Sequence, residues 1–201
     1  MIGWLYDLMA RGAEERELGA RRHELLGGLE GDVLEIGAGT GASLPHYERA
    51  ARVVALEPDG SIAKRLPAKA AAAKVSVEVV TGSAEAAPFP DKSFDVVVSA
   101  FMLCSVADPP AVLAEARRVL KPGGKLVLLE HVRAEGQLAR WQERLTPLHR
   151  KLAGNCHLDR DTGAAVAAAG FDTAGVERTR LPGLTRLTCD GIQGVAIKTS
   201  S

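Results

Sequence analysis

The chain has 201 residues, 46% of them hydrophobic and 25% charged, which is the make-up of an ordinary folded domain with one full core. Its 25 basic and 25 acidic side chains cancel, which excludes a global field drawing it to nucleic acid, an anionic membrane or an acidic substrate, and leaves a small-molecule partner as the expectation. Three widely spaced cysteines, Cys104, Cys156 and Cys189, exclude a disulfide framework and make a reducing cytoplasm the expected location; no metal is expected, because Cys156-His157 lacks a second ligand pair at suitable spacing.

Residues 1–30 set Trp4, Leu5, Leu8, Leu18, Leu25 and Leu26 among charges, the pattern of amphipathic helices forming a lid or flank ahead of a main domain at 31–201. The apolar stretch at 1–9 is broken by Asp7 and followed by dense charge, so neither a signal peptide nor stable membrane insertion is expected. Short runs rich in β-branched residues at 33–36, 53–56, 75–80, 94–98 and 126–129 read as buried strands. Helical stretches at 42–50, 62–73 and 111–120 separate them, the last opened by Pro109-Pro110 and closed by Lys121-Pro122-Gly123-Gly124. A longer helix at 137–152 carries Pro147, which should kink or split it, and a short one at 162–169 stops at Gly170. Two late strands, 176–180 and 194–197, read as a closing hairpin. Alternating strands and helices predict a Rossmann-like α/β fold, a mainly parallel sheet with helices on both faces.

Between the first strand and first helix lies Glu35-Ile36-Gly37-Ala38-Gly39-Thr40-Gly41-Ala42. Glycines there let the backbone turn sharply and approach a ligand, and free N–H groups favour a negative group, so a nucleotide-type cofactor is implied. Gly37, Gly39 and Ala42 also satisfy the dinucleotide fingerprint of NAD-dependent dehydrogenases. Glu57, ending the second strand before Pro58, can accept from both ribose hydroxyls of either cofactor. Glu35 separates the two: two residues before the first glycine, a carboxylate would crowd a pyrophosphate yet suit an ammonium group beside a sulfonium.

With that loop, Ser83-Ala84-Glu85 leading into Pro88-Phe89-Pro90-Asp91-Lys92-Ser93-Phe94-Asp95, and Arg118-Val119-Leu120-Lys121-Pro122-Gly123-Gly124, the chain resembles the class I S-adenosylmethionine-dependent methyltransferases (methyltransferase type 11 domain). The resemblance implies a seven-stranded sheet with an antiparallel C-terminal strand, and S-adenosylmethionine converted to S-adenosylhomocysteine. It further implies that Glu35, Gly37, Ala38, Gly39 and Gly41 hold the methionine portion, that Glu57 and Pro58 meet the ribose, and that Ser83 and Ala84 border the adenine. Ser99 and Phe101, at the end of the fourth strand, complete the expected cofactor contacts. Many members carry Asp where Ser83 stands, and a hydroxyl is the weaker acceptor. Tyr6-Asp7 resembles a lid element of related enzymes.

A closer resemblance, carried by Val97 to Val106, Glu130-His131-Val132 and Gly154 to Thr162, is to methyltransferase-like proteins of mammals that methylate alkyl thiols, and to their small bacterial relatives. It implies an apolar thiol as acceptor, for which the apolar side chains of Phe101, Met102, Leu103 and Trp141 would form a wall that excludes water; a quinone-like or polyketide-like hydroxyl or ring carbon is the alternative. A non-catalytic module binding S-adenosylmethionine is the reading from another class. A thiolate is already a good nucleophile near neutral pH, so alignment and exclusion of water suffice. His131, just after the fifth strand, is the first candidate for a general base and His157 the second, while Asp161 reads as the cap of the 162–169 helix. Cys104 reads as a core residue.

Overall fold

Runs of valine, isoleucine and leucine become strands where both of their faces are covered, and the described residues form seven of them: β1 (Gly31–Ile36), β2 (Ala50–Glu57), β3 (Val77–Thr81), β4 (Phe94–Ala100), β5 (Leu120–His131), β6 (Phe171–Arg180) and β7 (Asp190–Lys198). The computed structural model describes residues 18–199, so the lid expected of Trp4, Tyr6 and their neighbours lies outside the described residues. The sheet order is β3-β2-β1-β4-β5-β7-β6, with β1 to β5 mutually parallel and β7 antiparallel to both β5 and β6. All five expected core strands are present. The two late strands pair antiparallel as expected, with β7 inserted between β5 and β6.

Among the described residues six helices accompany the sheet: α1 (Gly19–Leu26), α2 (Gly60–Ala63), α3 (Leu66–Ala71), α4 (Pro109–Val119), α5 (Gly136–Leu152) and α6 (Thr162–Ala168). Alternate strand residues feed two cores. Leu34, Leu56, Val97, Leu126 and Leu128 pack on one face with Leu113 and Val166, while Val33, Val53, Val96 and Val127 pack on the other with Leu26, Leu44, Tyr47 and Leu66. Asp108 and Asp161 cap α4 and α6 by accepting from Ala111 N and Ala164 N, and Gly170 leaves α6 with a φ of 82°.

Three expected helices differ. Over 42–50 only one 3-10 turn, Leu44–His46, forms, because the fully buried Leu44 and Tyr47 fasten this segment by packing and β2 already begins at Ala50. The 62–73 helix divides into α2 and α3 ahead of Pro67, which sits in the first turn of α3, where its missing N–H costs nothing. Pro147 leaves α5 continuous for 17 residues. It is exposed, and Thr146 beside it donates to the Gln142 carbonyl at 2.8 Å. Since Pro147 still removes one helical N–H, Pro147→Ala is expected to stabilise the protein by up to about 3 kcal/mol, read as a higher midpoint in urea with unchanged slope.

Candidate active site

Strand order reverses between β1 and β4, and in open sheets of this kind ligands lie beyond the carboxyl ends at that switch point. The glycine loop leaves β1 there with left-handed turns at Gly37 (φ 65°), Gly39 (φ 55°) and Gly41 (φ 76°). A Cβ on Gly37 would stand 2.2 Å from Met102 Cγ, so this glycine is required by a close approach as well as by its torsion. Above Gly39 the nearest atom is the Gly37 carbonyl at 3.9 Å, leaving room for a ligand against the backbone.

Glu57 is buried, and both its oxygens already hold the chain: Oε2 accepts from Gly39 N at 2.8 Å and Oε1 from Asp59 N at 3.0 Å. It therefore shapes the glycine loop as well as standing where a ribose is expected. Glu35 is also buried, and the hydroxyl of Tyr47 donates to its Oε2 at 3.1 Å. Burial pushes the Glu35 carboxyl above its ordinary value, opposed by the Ser43 hydroxyl, the Arg22 charge and the Tyr47 hydroxyl. Arg22, on α1, donates to Ser43 Oγ at 3.0 Å and lies over the Phe101 ring, 5.6 Å from its centroid. Ala38 is buried with its N–H on the Leu56 carbonyl, and Pro58 is exposed.

The Ser83 hydroxyl donates to the Glu85 carboxylate while its oxygen accepts from Glu85 N at 3.1 Å, so much of its capacity is spent locally, and Ala84 beside it is buried. Ser99, expected among the cofactor contacts, lies near the end of β4. It has no exposed surface, and its hydroxyl donates to Glu130 Oε1 at 2.7 Å. The same Glu130 oxygen accepts from Met102 N and Leu103 N, at 2.9 and 3.1 Å, and so pins the loop after β4. Phe101 turns that corner with a φ of 58°, a strained torsion for an aromatic residue of the kind that collects at functional sites.

On the far side of β4, His131 is buried and meets Cys156, whose Sγ lies 3.5 Å from Nε2, with Cys104 completing the cluster. The Cys104 thiol is pushed well up by the Cys156 side chain and by burial. Burial works to lower His131, but Cys104 and Glu130 raise it on balance. His157 is half-buried, and burial and the charges of Arg160 and Arg150 hold its imidazole below the ordinary histidine value. Met102 and Leu103 belong to the core, and Trp141, expected in an acceptor wall, is 56% exposed under the Arg144 guanidinium. It faces outward because α5 turns Ala139, Gln142 and Thr146 inward instead.

Sequence reasoning missed Tyr47, Arg22 and the structural use of Glu130. A glutamate closing the apolar run 126–129 was the visible signal for the last; nothing in the sequence joins Tyr47 to Glu35.

The family model described as "Methyltransferase domain" matches residues 34–128. Thiol S-methyltransferase TMT1B of Rattus norvegicus is 34% identical over 171 residues, covering 82% of this chain and 70% of its own length. The chain is a class I S-adenosylmethionine-dependent methyltransferase. The methyltransferase is also 33% identical over 177 residues to the ubiquinone/menaquinone biosynthesis C-methyltransferase UbiE of Marinomonas sp. (strain MWYL1), covering 76% of this chain and 69% of that one. Its fold matches a solved S-adenosylmethionine-dependent methyltransferase of Thermotoga maritima, described as a possible histamine N-methyltransferase, with a TM-score of 0.67 at 23% identity over 97% of this chain and 93% of that one. The cofactor is therefore S-adenosylmethionine, as Glu35 favoured over NAD, and the buried carboxylates Glu35 and Glu57 and the open space above Gly39 fit a cofactor that carries an ammonium group and ribose hydroxyls. Gly37→Ala in this methyltransferase is expected to cost about 1–3 kcal/mol in stability and to weaken S-adenosylhomocysteine binding, measured by denaturation and calorimetry.

Proposed function

We propose that this methyltransferase transfers a methyl group to a small apolar thiol. The observation that carries the reading is the 34% identity to a thiol S-methyltransferase through 82% of the chain. On the cofactor side, Glu35 receives the ammonium group and the backbone of Gly37, Ala38, Gly39 and Gly41 lies along the methionine portion. Glu57 takes the ribose hydroxyls on lone pairs not used by Gly39 and Asp59, beside Pro58; Ser83 and Ala84 border the adenine; Phe101, and Tyr6 outside the described residues, close the site. The donor, when bound, supplies a methyl on a sulfonium that loses its charge on transfer, and a site of aligned apolar walls favours that loss.

A thiol loses its proton more readily than an alcohol and its thiolate is a strong nucleophile, so less proton transfer is asked of His131 and His157, the two imidazoles on the acceptor side. A reducing cytoplasm suits the three free cysteines, and among the described residues no helix is long and apolar enough to cross a membrane. The similarity to UbiE supports a second reading, C-methylation of a quinone-like ring.

Mass spectrometry of S-adenosylhomocysteine formed against paired alkyl thiols, alcohols and phenols separates these readings. Turnover of the thiols with none of the oxygen analogues is the expected result; turnover confined to phenols or quinols moves the assignment to the second reading. Glu35 yields a further outcome with a definite sign. Its raised carboxyl is protonated at higher pH than an ordinary glutamate, so S-adenosylhomocysteine affinity should fall as the pH drops through that value, and in Glu35→Gln it should be weak and flat. In folding the sign is opposite: burial favours the neutral form, so this group's contribution is fully present below 4.5 and is lost as the pH rises through the folded value.

A further inference from the structure

Three soft donors converge at the carboxyl edge of β4 and β5. Cys104 follows β4, His131 ends β5 and Cys156 follows α5, yet their sulfurs and an imidazole nitrogen all lie within 4.8 Å of one another. Cys156 Sγ stands 3.5 Å from His131 Nε2. In a tetrahedral zinc site, with bonds of about 2.3 Å to sulfur and 2.0–2.1 Å to nitrogen, the sulfur–nitrogen edge is about 3.6 Å and the sulfur–sulfur edge about 3.8 Å. These donors therefore stand near ligand spacing before any cation is present.

Other bonds hold them there. Asn155 Nδ2 donates to the Ser105 carbonyl at 2.7 Å, His157 N to the Cys104 carbonyl at 2.8 Å, and the Arg160 guanidinium to the carbonyls of Leu103 and Val106 at 2.6 and 2.8 Å. Together they clamp the loop carrying Cys156 onto the loop carrying Cys104. Asn155, next to Cys156, has a left-handed φ of 65°. The buried Cys104 sulfur is also held 3.6 Å from the Phe101 carbonyl and 3.4 Å from Ser105 Oγ.

We propose that Cys104, His131 and Cys156 bind a thiophilic divalent cation, zinc by its donor set, whose fourth position takes the sulfur of the acceptor. Three protein ligands and one open position is the arrangement of reactive zinc sites, whereas closed structural sites use four. Cys104 and His131 are 2% and 3% exposed while Cys156 is half-buried, so the open position lies toward Cys156. Binding displaces the two cysteine protons, and an acceptor thiol loses its own proton to solvent on coordination, since the cation stabilises the thiolate. His131 then serves as a ligand in place of the free base expected of it. The three-ligand site stands on geometry alone; the role of its fourth position rests on the thiol-acceptor reading above.

The test uses the full chain, expressed with added zinc, handled under reducing conditions and desalted, with metal counted by mass spectrometry. Cys189, whose sulfur accepts from Arg180 Nη2 at 3.0 Å, supplies the control variant Cys189→Ser. Close to one zinc per chain is expected in the wild type and in Cys189→Ser, with most of it lost in Cys156→Ser. The cobalt-loaded wild type should show thiolate-to-metal absorption that Cys156→Ser lacks. Wild-type protein that retains no zinc, a Cys156→Ser variant that keeps it, or a Cys104–Cys156 disulfide under these conditions overturns the site. An alkyl thiol added to the cobalt form without cofactor should strengthen the thiolate absorption. An unchanged spectrum with a thiol that the enzyme methylates overturns the role of the fourth position. Methylation of phenols alone sinks the acceptor reading, while zinc counting still decides the site.

Discussion

Two loops leave the carboxyl ends of β1 and β4 and touch, with Met102 pressed against the bare α-carbon of Gly37. The rest of the site depends on that contact. The glycine loop has its shape only because no side chain intervenes, and the β4 loop reaches it only because Glu130 gathers Ser99, Met102 and Leu103 on one buried oxygen. A side chain at Gly37 would separate the two loops, and with them the cofactor edge from the acceptor edge.

The two edges carry different donor chemistry. Around β1 and β2 the polar groups are hard and acidic, Glu35 and Glu57, matched to a cofactor bearing ammonium, sulfonium and ribose hydroxyls. Past β4 they are soft: two thiols and an imidazole. Glu57 also accepts from Gly39 N, so the carboxylate proposed for the ribose is the one that sets the loop before any ligand arrives. Preorganisation of this kind reduces the ordering that binding would otherwise require.

The helix α5 shows how weakly apolar content alone assigns a face. Of its large apolar residues, Trp141, Leu148 and Leu152 are exposed and Leu138 and Leu145 only half-buried, while Gln142 is buried and bridges Ala134 N to the Leu187 carbonyl. An acceptor wall built from Trp141 followed from its hydrophobicity; the hydrogen-bonding demand of the neighbouring backbone turned the helix the other way.

What the sequence by itself determined is local or periodic. Runs of β-branched residues place five parallel strands, Pro109-Pro110 and Asp161 start helices, and Glu35 through Gly41 mark the expected cofactor loop, since strand burial, helix starts and glycine torsions act within a few residues. The 3-10 turn at Leu44–His46 was not legible, because Tyr47 is held by packing against distant strands. Only the tertiary structure brought together Cys104, His131 and Cys156, whose positions are 27 and 25 apart. Metal-ligand motifs are read from close spacing, and here the spacing is supplied by strand order and by a loop clamped across the sheet edge, which no short-range pattern encodes.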